Sequence, residues 1–166
     1  MPSVASLFIS RWDSAADPLL PPALQGGLGL AMAQKTYASH GQLLADQRWQ
    51  ALAEAGARPQ RVLWASTSTK NPDLPDTYYL GRLAAPNTID TMPEKTLLAF
   101  ADHGSLDDRL EPDYAAAERA IAAVADAGID VDALAESLQR HGAGAFTTDW
   151  ATLLAAIQEK AAKPPA

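Results

Sequence analysis

Two short apolar runs, each giving way abruptly to polar residues, interrupt a chain otherwise patterned at helical spacing. Val62, Leu63, Trp64 and Ala65 form a run too brief for a helix and rich in strand formers, which predicts a buried strand. The next residues, Ser66, Thr67, Ser68, Thr69, Lys70 and Asn71, carry hydroxyls, one ammonium and one amide. Residues 3–13 repeat the arrangement: Val4, Ala5, Leu7, Phe8 and Ile9 predict a second buried strand, followed by Ser10, Arg11, Trp12 and Asp13. A third, very short strand is expected at Asn87, Thr88, Ile89 and Asp90.

Between these runs the period changes. Residues 14–22 hold three of the twelve prolines and read as a linking loop or a broken first turn. Leu24, Leu28, Ala31, Tyr37 and Leu44 predict a helix over 23–44, weakened by Gly26, Gly27 and Gly29. A shorter helix over 46–55 is expected to bury Trp49 and Leu52 and to stop at Gly56. Tyr78, Tyr79, Leu80 and Leu83 fit a helix or a strand. Thr91 and Glu94 have capping-box spacing, with Pro93 in a first turn, so a helix is predicted to run to about His103 and stop at Gly104. Beyond Glu111 there is no strand signal. Pro112 opens a helix ended by Gly128, Asp130 caps another ended by Gly142, and Thr148 or Asp149 caps a last one with Trp150, Leu153, Leu154 and Ile157.

Strands alternating with helices predict an α/β fold with parallel strands, in one domain over 1–166 whose residues 111–166 form a helical C-terminal segment. Composition narrows the function classes. A net charge of −7 argues against a nucleic-acid partner, and no Lys/Arg run exceeds one residue. The absence of cysteine removes disulfides, thiolate metal sites and a cysteine nucleophile. His40, His103 and His141 lie far apart, each beside a glycine at an expected helix end, which suits the helix dipole better than a metal. No apolar run reaches membrane-spanning length and no signal peptide is evident, so a cytoplasmic location without membrane contact is expected.

Chemistry in parallel α/β folds gathers where strands end, because a rigid sheet there aims polar groups into a shared crevice. On that ground the 66–71 stretch is either an anion or sugar-phosphate pocket with Lys70 supplying charge, or a Ser/Thr-rich turn ended by Asn71-Pro72. Arg11 has the planar fork that grips phosphate with two parallel bonds; the competing reading pairs it with Asp13 at a helix start. Lys70 is also the one lysine at the end of an apolar strand, where desolvation would lower its pKa towards reactivity as a nucleophile. Asp13, Asp73 and Asp76 are the nearby carboxylates for proton transfer.

Three passages carry a resemblance: SVASLFISRWD, then RWQALAEAGARPQRVLWASTSTKNPDLPDTYYL, then APNTIDTMPEKTLLAFADHG. In order, and together with GAGAFTTDWATLLAAI near the end, they resemble the C-terminal half of the long bacterial form of transaldolase. The resemblance implies a partial (β/α)8 TIM barrel of about three parallel strands, starting near the sixth. It also implies transfer of a dihydroxyacetone unit between sugar phosphates in the pentose phosphate pathway, without a cofactor. The family's Schiff-base lysine and proton-handling acids belong to earlier strands. What carries over is the phosphate end of the pocket: Arg11 with Ser6 at one strand end, Ser66 and Lys70 at the next. Two departures stand out, since Ser68 replaces the usual glycine and could crowd its loop, and the 26–34 region lacks an expected lysine and asparagine.

A partial barrel has open edges and inward side chains without partners. The resemblance therefore implies a sugar-phosphate substrate together with an N-terminal transaldolase half or self-association as partner. The alternatives are a non-catalytic sugar-phosphate-binding module, a subunit of a split barrel, or an inactive remnant.

Overall fold

The computed structural model describes residues 2–162. Three strands, β1 (Val4–Phe8), β2 (Arg61–Ala65) and β3 (Thr88–Asp90), form one parallel sheet in the order β1-β2-β3. Leu7 pairs with Trp64, and Trp64 in turn with Asp90. Side chains of paired residues in parallel strands share a face. One face therefore presents Leu7, Val62 and Trp64, and the other Ser6, Phe8, Leu63, Ala65 and Ile89.

The helices among the described residues are α1 (Ser10–Ala16), α2 (Leu28–Ala45), α3 (Gln47–Glu54), α4 (Tyr78–Leu83), α5 (Glu94–His103), α6 (Tyr114–Asp126) and α7 (Val131–Ala162). The first sheet face is sealed by Ile9, Ala33, Tyr79, Leu83 and Leu110 closing around Val62 and Trp64. Burying side chains of this size contributes roughly 1.5–3 kcal/mol each, which makes this cluster the main stabilising element of the sheet. Helix α6 packs along α2, where Lys35 and Glu118 pair at 2.6 Å on the surface. The chain divides after Ile129 into two compact units, the sheet with α1–α6 and the segment carrying α7.

All three strands form where the sequence places them, two at the apolar runs and the third at residues 88–90, and the ambiguous 78–83 segment is a helix. Several expectations change. Strand β1 is an edge strand with Val4 41% exposed, so it is not buried as its composition suggests. The helix expected over 23–44 starts only at Leu28: residues 22–24 form a 3-10 turn, and Gly26 takes a left-handed φ of +73° while its N–H donates to Asp17 Oδ1. Leu52 on α3 is 55% exposed rather than buried.

The capping box is absent. Thr91 donates its hydroxyl to the Trp64 carbonyl, and α5 begins after Pro93 without a side-chain cap. His40 and His141 lie inside α2 and α7, so only His103 sits in a last helical turn. Gly142 does not end a helix, and α7 runs unbroken over 32 residues. An interior glycine costs about 1 kcal/mol relative to alanine, which does not by itself end a helix. Thr147, Thr148 and Thr152 donate to carbonyls four residues back instead of capping. No helix among the described residues is long and apolar enough to cross a membrane, and none of their carboxylates and imidazoles form a group of three suited to a metal ion.

Candidate phosphate-binding site

The polar residues after β1 and β2 meet because the strands are adjacent and parallel, so their C-terminal ends lie at the same edge of the sheet. The Ser10 N–H donates to the Ser66 carbonyl at 3.0 Å and the two hydroxyls bond at 2.8 Å. Ser66 holds φ at +56°, a left-handed conformation that a non-glycine residue adopts at some cost. That cost is met by the pairing with Ser10, which is 2% exposed.

Arg11 follows at once on the first turn of α1. Its guanidinium lies over the Phe8 ring, 4.3 Å from the centroid, and has no hydrogen bond or ion pair among the described residues. The competing pairing with Asp13 does not form. Residues two apart on a helix face different ways, and both Asp13 oxygens are engaged elsewhere: Oδ1 accepts the Gly29 N–H at 2.9 Å and Oδ2 the Tyr79 hydroxyl at 2.7 Å. Burial pushes the Asp13 carboxyl above its usual value, a rise that the Gly29 and Tyr79 bonds oppose. Burial also raises the Tyr79 phenol, with the Asp13 charge adding to it, so the phenol stays a donor.

Ser6 lies exposed on β1 and, two residues before Phe8, shares its face. The structure thus gathers Ser6, Phe8 and Arg11 on one side of β1, and joins Ser66 to them through Ser10. Lys70 stands apart from this group. It is exposed, donates from Nζ to Ser68 Oγ at 2.9 Å, and borders a cleft of about 290 Å³ that Asp13, Asp17, Asn71 and Tyr79 also line. The desolvation expected to make Lys70 reactive is therefore lacking. Ser68 has a φ that is not left-handed, and its hydroxyl is the acceptor for Lys70.

Two groups escaped the sequence reading. Thr67, fully buried, donates to Asp90 Oδ1 at 2.9 Å and ties the β2 end to β3. Burial pushes the Asp90 carboxyl up to about 6, against the lowering effect of Thr67 and the Thr91 N–H. The other is the Asp13–Tyr79 bond, whose partners lie 66 residues apart with no local pattern linking them. Asp76 and His103 bond at 2.9 Å across the rim, which lowers the Asp76 carboxyl and, with Asp102, raises the His103 imidazole.

Comparison with known proteins points one way. The family model described as Transaldolase/Fructose-6-phosphate aldolase matches residues 1–157. The chain is 45% identical to a protein named transaldolase from Frankia alni, over 95% of this chain and 45% of the relative. It is 46% identical to one from Acidothermus cellulolyticus over 93% and 44%, and 42% identical to one from Thermobifida fusca over 96% and 46%. The chain thus spans somewhat less than half the length of the curated relatives it matches.

Proposed function

Because the chain belongs to the transaldolase/fructose-6-phosphate aldolase family, we propose that it supplies the phosphate-binding part of a transaldolase site. The reaction served is transfer of a dihydroxyacetone unit between sugar phosphates in the cytoplasmic pentose phosphate pathway. The remaining strands of a (β/α)8 barrel, which in this reading carry the Schiff-base lysine, come from a part of the protein that this chain does not span or from a partner.

The observation that carries the reading is the Ser10–Ser66 hydroxyl pair at 2.8 Å, which sets Arg11 at the joined ends of two parallel strands. An Arg guanidinium without an internal counter-charge is suited to a phosphate dianion through paired N–H donors, with hydroxyls beside it as further donors. In a chain of net charge −7 such a local cation is what distinguishes an anion site from the rest of the surface. Ser6 shares that side of β1; Lys70 reaches the phosphate only if its bond to Ser68 is exchanged for one to the ligand.

An amide and arginine side-chain NMR titration tests the reading. Fructose 6-phosphate and inorganic phosphate are expected to shift Ser10, Arg11 and Ser66, fructose to leave them in place, and Arg11→Ala to abolish the response. An equal response to fructose, or an unaffected Arg11→Ala variant, overturns it.

A further inference from the structure

We infer that Asp13 is a positioning residue for Arg11, acting through a buried bracket with Gly29 and Tyr79 that fixes the rotation of α1. This rests on the phosphate-site reading above and deepens it.

Helix α1 has only seven residues and no side-chain cap at its N-terminus. A helix of that length is marginal alone, so its orientation is decided by what holds it. Two residues three apart, on one face, do so. Ser10 is bonded to Ser66 of the β2 end through backbone and hydroxyl. Asp13 is bonded to Gly29 in the first turn of α2 and to Tyr79 of α4. Both are 2% exposed. One attachment leaves a short helix free to roll about it; two along a face do not.

Arg11 lies between the attachments in sequence but about 100° round the helix from Ser10, so the roll of α1 decides where its guanidinium points. With both attachments made, it rests over Phe8.

The approach of α2 is as close as the residue types permit. A Cβ built on Gly29 would lie 2.7 Å from both Asp13 Oδ2 and the Ile9 carbonyl oxygen, too near for any side chain. The absence of a side chain at 29 is what lets the α2 N–H reach the carboxylate. The carboxylate is well suited to that place, because the N-terminus of α2 presents unpaired N–H donors and a favourable dipole.

The test measures phosphate affinity, with inorganic phosphate as probe, alongside thermal stability in four variants. Asp13→Ala is expected to weaken binding by about tenfold or more, the scale of one lost charge-assisted bond. Asp13→Asn, whose amide can accept from Gly29 and donate to the Tyr79 oxygen, is expected to stay within about threefold of the natural chain. Val124→Ala, a buried position on α6, is the stability control and is expected to lose melting temperature with no change in affinity. The upfield ring-current shift that Phe8 imposes on the Arg11 side chain should vanish in Asp13→Ala and persist in Asp13→Asn.

Equal affinity losses in Asp13→Ala and Val124→Ala would reduce Asp13 to a stabilising residue and overturn the inference. Should Asp13→Ala not fold, Tyr79→Phe removes one arm of the bracket at nearly constant volume, and unchanged affinity there overturns it as well. A natural chain that ignores phosphate altogether instead overturns the phosphate site, and this inference with it.

Discussion

Trp64, fully buried in β2, donates its indole N–H to the carbonyl of Leu83, the last residue of α4, at 3.0 Å. The last carbonyls of a helix have no partner within it. The bond therefore gives a buried helix end an acceptor's partner while seating the largest side chain of the core. Trp64→Phe keeps an aromatic ring, leaves that carbonyl unpaired and opens a small cavity; an unfolding free energy lower by on the order of 3 kcal/mol is expected. Urea denaturation measures it, and a change below about 1 kcal/mol would show that the bond is replaced by water.

Two glycines of α2 separate helix propensity from close approach. Gly41 has nothing within 4 Å of where a Cβ would stand, so Gly41→Ala should stabilise by about 0.5–1 kcal/mol. Gly29→Ala gains the same propensity but forces a methyl to 2.7 Å from Asp13 and Ile9, and a net loss of about 1–3 kcal/mol is expected. Paired thermal melts decide; equal signs for the two substitutions contradict this close packing at Gly29.

Asp90 makes stability depend on pH in a stated direction. Its carboxyl is raised from 3.8 to about 6 by burial, so the folded chain holds this proton where the unfolded chain has released it. Its contribution is then most favourable below the unfolded value and declines as pH rises from about 4 to about 6. Asp90→Asn should flatten that part of the profile, and Thr67→Val should steepen it by removing a bond that favours the charged form. Denaturation midpoints at the two ends of this window, compared among the three chains, test both expectations.

The rim pair runs the other way. His103 is raised by its bonds to Asp76 and Asp102, so what it contributes is present below the ordinary histidine value and fades as pH climbs through the raised one. Asp76 is lowered mainly by His103, and its share is lost only as pH falls through that lowered value. NMR titration of the His103 ring should give a value above 6.5 that drops in Asp76→Asn. An unchanged titration curve would mean the bond does not persist in solution.

Much of this was legible in the chain. Strands β1 and β2 follow from apolar runs too short for helices, and the segment of Tyr78 and Tyr79 left only one choice open, which packing against Trp64 resolved as a helix. The motifs ASTSTKNP and NTIDTMP pointed to the family to which the chain belongs. Period, strand-forming tendency and motif spacing are local properties, and they survive in any structure the chain adopts.

Other features depended on what lies next to what. Composition made β1 a buried strand, but exposure is a property of neighbours, and as the edge of the sheet it leaves Val4 in solvent. Thr91 had the spacing of a cap, yet its hydroxyl donates to the Trp64 carbonyl and α5 begins after Pro93 without a side-chain cap. Asp13 looked like a partner for Arg11 two residues away; a phenol 66 residues distant and the bare backbone of Gly29 took its oxygens instead. Gly29 itself read as a weak point in a helix and proved to be the position where two helices touch. Where strands form, and most of where helices form, follows from local sterics and periodicity along the chain, while the motifs carry the family. Only the tertiary structure decided which buried polar group bonds to which, because that choice is made between residues the chain keeps far apart until it folds.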